Sequence, residues 1–552
     1  MIMRLKKTLK RIAVILPALL IWPLFHAGCE RDNIILVDES GELDGDYSDD
    51  NISNTTFDRS VTVVFSTSGS ASVSNTSDDF NVTVNGNDVT IEYGGTENVR
   101  YELSGSTLDG FFKLYSGKKQ AIVLDGVSIA NRNGAAINVQ GPSSSPSSGK
   151  RTFIVVNGEN TIADGSTYSD TPAGEDEKAA LFGEGQLIFS GNGSLTVTAT
   201  GKAGIASDDY VHFMNAPTIQ VTATSGHGVR GKDGIIVSDG VTDITVSANT
   251  KKGFSSDDYV YIGGGSTTIH VTGGTAYDSE DQGYSGSAGI KADGNFTISG
   301  GSLAITNSGT GGKGISCDGK GFFNAGEVTV TCTGSNYGSS GGWGGSSSNS
   351  VSAKGIKCDG DILFAGATVT VNCLAHEGIE SKGAITVSNG VVDSYSASDD
   401  AINSADDFTI TGGYVYGQSR GNDGLDANGN FYIQGGVVYA IGTTSPELAI
   451  DANSEENKKL YVKGGTLIAI GGLESGASLT QSCYSASSWS QNTWYALAVG
   501  SNTYCFKTPS SGGTPLVVSG SSTPTLKSGV SVTGGTIYFG GLLTLNGTVS
   551  GG

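Results

Sequence analysis

Hydrophobic and polar residues alternate in short runs along most of the chain. From about residue 80 the pattern has the form VTVNGNDVTIEYGG, in which apolar residues take every second position and Gly, Asn and Asp interrupt the runs. Alternation of this kind is typical of half-buried β-strands that are separated by tight turns. No long stretch of the sequence repeats its apolar residues with the period of a helix. The pattern therefore predicts an all-β chain.

The alternating runs belong to a repeat that is aligned on a small residue followed by an apolar one. These small residues are Gly204, Gly253, Gly289, Gly314, Gly355, Gly378, Ala401 and Gly424, and a ninth segment aligns on Gly228. The last three of the eight lie 23 positions apart. A unit of this size cannot bury its apolar face alone, so successive units must stack. The repeat predicts a right-handed parallel β-helix with coils of about 23–25 residues over residues 80–472.

Equal offsets in successive coils become rows, because equivalent residues lie about 4.8 Å apart in stacked strands. One row is predicted to point inward and contains Ile315, Ile356, Ile379 and Ile402. Two rows are predicted to face one patch of solvent: Lys357, Glu380, Asn403 and Asp426 in the first, and Lys354, Glu377, Asp400 and Asp423 in the second. Carboxylates therefore gather in three successive coils.

The acidic rows predict a cation site. Two unpaired carboxylates about 5 Å apart repel each other by roughly 3 kcal/mol at an effective dielectric constant near 20. A hard cation removes that repulsion, and Ca²⁺ accepts about six to eight oxygen ligands. We predict a calcium site built from Glu377, Glu380, Asp399, Asp400, Asn403, Asp423 and Asp426. The alternative is that these Asp and Asn residues serve only as turn residues, since both types tolerate left-handed backbone.

The N-terminus predicts export. Five basic residues in MIMRLKKTLKR precede an apolar run from Ile12 to Phe25, which is typical of a secretory signal. Ala27-Gly28-Cys29 resembles a bacterial lipobox, so we expect residues 1–29 to be a signal peptide and Cys29 to be lipidated. A plain secretion signal is the alternative. Residues 30–79 are predicted to be an acidic tether and lead-in, which makes the protein an outer-membrane or cell-surface lipoprotein.

The charge balance limits the partners. The formal net charge of −22 argues against nucleic acid, which is bound through Lys and Arg. An anionic partner would need a bridging cation. We expect a monomer.

The cysteines are expected to be in an oxidising compartment. Cys317 and Cys358 share one offset and Cys332 and Cys373 share another, so each pair should stack in adjacent coils as a disulfide or as buried thiols. Residues 473–552 lose the repeat and are predicted to cap or extend the C-terminal end, with a disulfide between Cys483 and Cys505.

Several motifs in order carry a resemblance to a known family. The stretches AIVLDGVSIANRNGAAINVQ, NGENTIADGSTY, AALFGEGQLIFSGNGSLTVTATGKAGIASDDYVHF and HGVRGKDGIIVSDG resemble the bacterial carbohydrate-binding domain-containing proteins, which are calcium-binding β-helices related in fold to pectate lyases of polysaccharide lyase family nine. The resemblance implies binding of cellulose-like glucans or polygalacturonate. It also implies that a DDxxD stretch holds calcium, which matches Asp399, Asp400 and Asn403, with a second copy at Asp423 and Asp426. Asn403 and Asn422 each replace a carboxylate of that motif.

The resemblance leaves three functions open. As a binding protein, the chain would hold a uronate polymer through calcium, or a neutral glucan on the candidate stacking residues Tyr416, Tyr439, Tyr432 and Tyr461. As a pectate-type lyase, it would need a base beside the metal, for which Lys354 and Lys357 are the candidates. As a structural stalk or adhesin, it would use the rows only to stabilise the coil. We favour polysaccharide binding with calcium.

Overall fold

The structure is a computed structural model that describes residues 36–37, 41–44, 47–169, 171–172, 174–215, 217–279, 282–338 and 349–552. In these ranges strands dominate, and the helices are short 3₁₀ turns at Tyr47–Asp50, Ile52–Asn54, Ser454–Glu456 and Phe539–Gly541. The strands stack in parallel, coil upon coil, which confirms the predicted β-helix. Each full coil contributes one strand to each of three long faces, here named A, B and C in the order in which the chain visits them.

The strands of face A are Phe80–Asn85, Asp88–Tyr93, Phe111–Ser116, Ile137–Gln140, Ala179–Gly183, Ala203–Ser207, Val229–Gly231, Lys252–Ser256, Ala288–Ala292, Lys313–Cys317, Lys354–Cys358, Ile379–Ser381, Ile402–Ser404 and Leu425–Ala427. Face B contains Gln120–Asp125, Thr152–Asn157, Leu187–Gly191, Tyr210–Phe213, Gly234–Val237, Tyr259–Ile262, Ile362–Phe364, Ile385–Val387, Phe408–Ile410, Phe431–Ile433, Leu460–Val462 and Ser478–Leu479. Face C contains Ser128–Ala130, Glu159–Ala163, Ser194–Ala199, Thr218–Ala223, Val241–Val246, Ser266–Val271, Thr368–Cys373, Val391–Ser396, Tyr414–Ser419, Val437–Ile441 and Thr466–Ile470. Three long strands run through both face B and face C: Val99–Thr107, Phe296–Asn307 and Gly321–Cys332.

The inward row of face A forms as predicted. Ile315, Ile356, Ile379 and Ile402 are paired in register from coil to coil and are fully buried. Aromatic residues stack inside face B in the same way, with ring centroids 4.8 Å apart for Phe323–Phe364 and 4.5 Å apart for Phe408–Phe431. Burying a side chain of this size contributes roughly 1.5–3 kcal/mol, so the continuous core stabilises each coil through its neighbours.

The two stacked cysteine pairs differ. Cys317 and Cys358 are in register on face A and form a disulfide, with Cα atoms 4.7 Å apart. Cys332 and Cys373 are in register on face C, but both are buried free thiols. Stacking therefore occurs in both pairs, and the bond forms in one of them.

Part of the predicted tether packs against the β-helix. Asp50 is 2% exposed, accepts a hydrogen bond of 2.7 Å from the Tyr210 hydroxyl, and lies 2.9 Å from Nε of Arg151. Further along, Arg59–Phe65 pairs in parallel with Val99–Gly105. The described part of residues 41–79 thus belongs to the folded body, because its carboxylates pair with cations of distant coils. Residues 1–29, with the predicted signal peptide and Cys29, lie outside the described residues. Among the described helices, none has the length and apolar character needed to cross a membrane.

The C-terminal region forms antiparallel strands beside the last coils. Its strands are Ser482–Ala486, Trp494–Val499, Asn502–Lys507, Leu516–Gly520, Thr525–Ser528, Val530–Thr533, Thr536–Tyr538, Leu543–Leu545 and Thr548–Gly551. Leu516–Gly520 pairs with Thr466–Ile470 at the end of face C. The predicted disulfide between Cys483 and Cys505 is wrong: Cys483 is an exposed free thiol on a strand beside Leu516–Gly520, whereas Cys505 is a buried free thiol in a different sheet.

Candidate functional site

The acidic rows lie where each of the last coils enters face A, and they are longer than the sequence predicted. The pairing of Lys357 with Glu380, of Glu380 with Asn403, and of Asn403 with Asp426 confirms the first row. Bridges from Leu425 to Ile450 and from Ile450 to Leu473 continue the inward row by two more coils. Asp451 and Glu474 follow those residues directly, so they extend the outward row. The signal for both was present, because AID at 449–451 and GLE at 472–474 repeat the pattern of GLD at 424–426.

The acidic residues are more buried than expected. Glu380 is 2% exposed, Asp400 3%, Glu377 6% and Asp423 7%, although a solvent-facing patch was predicted. The difference arises because the polar groups of each coil bond to the next coil rather than to water. Asp400, for example, accepts a hydrogen bond of 3.1 Å from the backbone N–H of Asp423 and another of 3.0 Å from the Asn403 amide.

In the first part of this cluster, protein cations neutralise the carboxylates. Nζ of Lys354 lies 3.0 Å from Glu377 and 2.5 Å from Glu380, and Lys382 also pairs with Glu380. Burial disfavours the charged carboxylate of Glu377, but the hydrogen bond with His376 and the charge of Lys354 outweigh burial and keep its pKa below the ordinary value. Glu377 is therefore charged without needing a metal, and Glu380 has Lys354 and Lys382 as partners.

His376 completes this neutralised part. Its Nδ1 lies 2.8 Å from Asp399 and also contacts Glu377. Burial alone would lower the pKa of His376, but the hydrogen bonds to the two carboxylates raise it to about 9. The imidazole is thus a cation at neutral pH. With Lys354 and Lys382, it places three basic side chains against the three carboxyl groups of Glu377, Glu380 and Asp399.

In the last coils of the cluster the carboxylates have no such partner. Ligand atoms of Asp423, Asp426 and Asp451 all lie within 4.8 Å of one another. Along the described residues, no Lys, Arg or His side chain forms an ion pair with these three or with Asp400. The backbone N–H of Leu448 donates a hydrogen bond of 2.5 Å to Asp423, which orients that side chain.

These carboxyl groups have no positively charged partner, and their pKa values are raised. Burial raises the pKa of Asp423 to about 7 and that of Asp426 to about 6, and nearby carboxylates add to both shifts. Burial, together with a hydrogen bond to Glu474, raises the pKa of Asp451 to about 9. Burial and the charges of Asp426 and Asp399 raise the pKa of Asp400 well above its usual range. A cluster of oxygen donors that resists ionisation on its own fits a hard divalent cation.

The two lysines proposed as bases both pair with carboxylates. Burial disfavours the charge on Lys354, but Glu377 and Glu380 outweigh it and raise its pKa above the ordinary value. Lys357 pairs with Asp359, which directly follows the strand Lys354–Cys358. A base must be able to accept a proton at the working pH, so this geometry favours the salt-bridge role for Lys354.

The four candidate stacking tyrosines divide into two pairs. The prediction is wrong for Tyr416 and Tyr439, which are 3% and 0% exposed beneath the C-terminal strands, where Phe539 and Phe506 pack on them. Tyr432 and Tyr461 are in register on the outside of face B, partly exposed and stacked with ring centroids 5.1 Å apart and planes 8° from parallel. Nζ of Lys463 lies 5.0 Å from the Tyr461 ring centroid. This second pair is a partly exposed aromatic stack beside a cation.

Sequence reasoning missed the basic part of face A. The outward row that is acidic in the last coils contains Arg230 and Lys291 in the middle coils. Lys251 and Lys313 lie on the same side, close to the small residues on which the repeat was aligned. The signal was present in the aligned segments KKGFS and GKGIS, where Lys252 and Lys313 share the offset of Lys354, but Ala288 interrupts this row between them.

Comparison with known proteins gives the family. The model of the carbohydrate-binding domain-containing protein family matches residues 85–400, which is more than half of the chain, and the chain belongs to this family. Among solved structures, it is similar to a polysaccharide lyase-like protein from C. thermocellum, recorded as a gadolinium derivative, with 22% identity and a TM-score of 0.38. That match covers 47% of this chain and 95% of the other. No curated protein matches the chain.

Proposed function

We propose that this protein is an exported, cell-surface polysaccharide-binding protein that holds Ca²⁺ on the last coils of face A. The observation that carries the calcium part of the proposal is the uncompensated group of Asp423, Asp426 and Asp451, whose ligand atoms lie within 4.8 Å of one another. Polysaccharide binding is supported by membership in the carbohydrate-binding domain-containing family.

The residues that would hold calcium are fewer than the sequence predicted and are displaced along the chain. Asp423, Asp426 and Asp451 would supply the carboxylate oxygens, with Asp400 and Glu474 next to them in the rows. A bound Ca²⁺ would supply positive charge and open coordination positions for a sugar carboxylate or hydroxyl. Glu377, Glu380 and Asp399 would instead position the neighbouring coil through Lys354 and His376.

Neutral glucans would use a different surface. Tyr432 and Tyr461 are a stacked, partly exposed pair, and sugar rings pack on exposed aromatic side chains through their C–H bonds. Lys463 beside the rings can donate hydrogen bonds to hydroxyl groups. This surface requires no metal.

Export and anchoring rest on the N-terminal sequence. A signal peptide over residues 1–29 with lipidation at Cys29 would attach a monomeric protein to the outer membrane or cell surface. Mass spectrometry of the membrane fraction tests this part: a diacylated N-terminal peptide that begins at Cys29 supports the anchor, and an unmodified mature N-terminus contradicts it.

Affinity electrophoresis tests the function itself. The mature protein is run through gels that contain polygalacturonate or a soluble glucan, with calcium and with chelator. Retardation by polygalacturonate that calcium strengthens supports a role for the metal in binding, and Asp423→Asn/Asp426→Asn should remove the calcium-dependent part. If neither polymer slows the protein under any condition, polysaccharide binding is wrong and the stalk function is favoured.

A further inference from the structure

A groove of about 760 Å³ runs along face A beside the middle coils, ahead of the acidic cluster. Strands from Ala203–Ser207 to Lys354–Cys358 contribute to its floor and sides. The basic residues that line it are Lys178, Lys202, Arg230, Lys251, Lys252, Lys291, Lys313 and Lys357, and the acidic ones are Asp257 and Asp293. Carboxylates outside the lining also pair with three of these cations: Asp176 and Asp208 with Lys178, Asp318 with Lys291, and Asp359 with Lys357. The positive charge of the groove therefore depends on the remaining cations, in a chain whose formal net charge is −22.

Acidic residues balance one side of the groove but not the other. Arg230 lies 3.1 Å from Asp257, and Lys291 lies 2.6 Å from Asp293, both at the strand ends of face A. On the opposite side the pattern changes. Within the described ranges, Lys202, Lys251 and Lys313 form no ion pair with a carboxylate. The groove therefore has a net positive interior along the side where each coil begins.

Lys313 shows the strength of this positive environment. Burial, together with the charges of Lys357, Lys354 and Lys252, lowers the pKa of Lys313 to about 8. Glu380 acts in the other direction but does not outweigh them. An anion in the groove would relieve the repulsion among these cations, as a hard cation would in the acidic coils.

Aromatic side chains stand at the edge of the same groove. Tyr284, on the hairpin of Ala276–Asp278 and Gly283–Ser285, lines the groove. Its ring lies 5.6 Å from that of Tyr277 and 5.2 Å from that of Tyr337, and Tyr277 is 58% exposed. A charged sugar polymer has apolar ring faces and anionic groups. The three exposed or partly exposed tyrosines can contact the ring faces, and the neighbouring cations can contact the anionic groups.

We infer that this groove, named here the cationic groove, binds a segment of anionic polysaccharide through direct contacts with Lys and Arg, without calcium. The inference rests on the proposed function and names its ligand class. Coils repeat about every 4.8 Å, which is comparable with the length of one sugar unit. Lys202, Lys251 and Lys313 lie on alternate coils, so they can meet charges on alternate units of the polymer. Carboxylated and sulfated glycans share this chemistry.

The test uses the full mature protein in chelator, so that the calcium site cannot contribute. Binding is measured with polygalacturonate, dextran sulfate, a neutral glucan and a single-stranded oligonucleotide. The variant Lys251→Gln/Lys252→Gln/Lys313→Gln removes three cations from the groove. The control Lys458→Gln/Lys459→Gln/Lys527→Gln removes the same charge from outside it. Circular dichroism and thermal unfolding establish that both variants fold.

The groove variant should bind anionic glycan about tenfold more weakly than the wild type, and the control within about twofold. The restoring variant Lys251→Arg/Lys252→Arg/Lys313→Arg should keep most of the affinity. The two anionic polymers then identify whether carboxylate or sulfate is preferred. Equal binding by wild type and groove variant in chelator would overturn the groove while leaving polysaccharide binding intact. Retention of the oligonucleotide alone, or of neutral glucan alone, would overturn it as well. Failure of every glycan, with and without calcium, would instead reject the proposed function.

Discussion

The middle and last coils of face A have one backbone and opposite surfaces. Ile356 and Ile379 occupy the same inward position in adjacent coils and are both fully buried, while the residues that follow them, Lys357 and Glu380, have opposite charges. Before this point the outward positions are mainly basic, and after it they are mainly acidic. A stacked coil needs only its inward row to be apolar, so its outward rows are free to specialise. One scaffold can therefore carry an anion site and a cation site end to end.

Ion pairs join the two regions at their boundary. Lys354 belongs to the last basic coil and pairs with Glu377 and Glu380 of the first acidic one. Because all three groups are largely buried, this contact links the charges of the two regions to the stability of the fold.

The largest effect is expected from breaking this boundary. Lys354→Met removes the buried cation that Glu377 and Glu380 share and leaves only His376 and Lys382 beside them, which should lower the free energy of unfolding by about 3 kcal/mol in urea denaturation. The matched change Lys291→Met removes a more exposed pair with Asp293 and should cost less than about 1 kcal/mol. Adding Glu377→Gln and Glu380→Gln to Lys354→Met should recover most of the loss. Equal costs for the two lysine variants would contradict the special role of the boundary.

A smaller effect is expected from calcium, and it should depend on pH. The folded-state pKa values of Asp423 and Asp426 are about 7 and about 6, above the ordinary 3.8 of an unfolded chain. Without metal, the stability that these groups contribute is present below pH 4 and is lost as the pH rises through 6 to 7, because the folded protein then has to release buried protons.

Calcium should compensate for that loss. At a concentration of 100 times Kd it should add about 2.7 kcal/mol to the free energy of unfolding. The increase in Tm should be greater at pH 8 than at pH 5, since the metal competes with protons at low pH. Differential scanning calorimetry at both pH values measures this. Asp423→Asn/Asp426→Asn should abolish the calcium increment. An increment that is independent of pH would contradict the assignment.

The cationic groove should show the opposite pH dependence. The pKa of Lys313 falls from an ordinary 10.5 to about 8 in the folded protein, so its charge destabilises the fold below pH 8, and this penalty disappears as the pH rises to 10.5. Lys313→Met should therefore raise the free energy of unfolding by about 1 kcal/mol at pH 7 and by almost nothing above pH 10.5. Urea denaturation at the two pH values measures the difference. If Lys313→Met is less stable than the wild type at pH 7, the charge of Lys313 does not destabilise the folded protein.

The smallest effect is expected at the tyrosines outside both regions. Tyr461→Ala removes one ring of the stacked pair on face B and should weaken binding of a neutral glucan by about fivefold, which corresponds to roughly 1 kcal/mol. Tyr484→Ala, at another exposed tyrosine, is the matched control. Binding of anionic glycans in chelator should be the same in both variants. If Tyr461→Ala weakens anionic binding as strongly as neutral binding, the two surfaces are not independent.

The sequence predicts the coils well because their inward rows repeat. Ile379, Ile402 and Leu425 follow at equal intervals of 23, and such regularity identifies stacking without any knowledge of distant contacts. The regularity also explains a miss. Asp451 lies 25 positions after Asp426 rather than 23, and its small residue is Ala449, so the same motif is harder to recognise there.

Contacts made outside the repeat could not be predicted in this way. Tyr416 and Tyr439 have the alternating pattern of a solvent-facing strand, but a non-repeating region far along the chain covers them. Asp50 reads as part of an acidic tether, yet its partner Arg151 is about a hundred residues away. The acidic cluster divides into a neutralised part and an uncompensated part according to which carboxylates Lys354 and His376 contact. The spacing of residues in the sequence does not reveal these side-chain contacts.

Isothermal titration of Ca²⁺ into the metal-stripped full chain shows whether the last coils of face A hold the metal. We predict that the wild type binds calcium, that Glu377→Gln in the neutralised coil binds it with nearly the same affinity, and that Asp423→Asn/Asp426→Asn loses the binding. No heat of binding in the wild type, or an equal loss in Glu377→Gln, would contradict the claim that the uncompensated end of the acidic rows holds the metal.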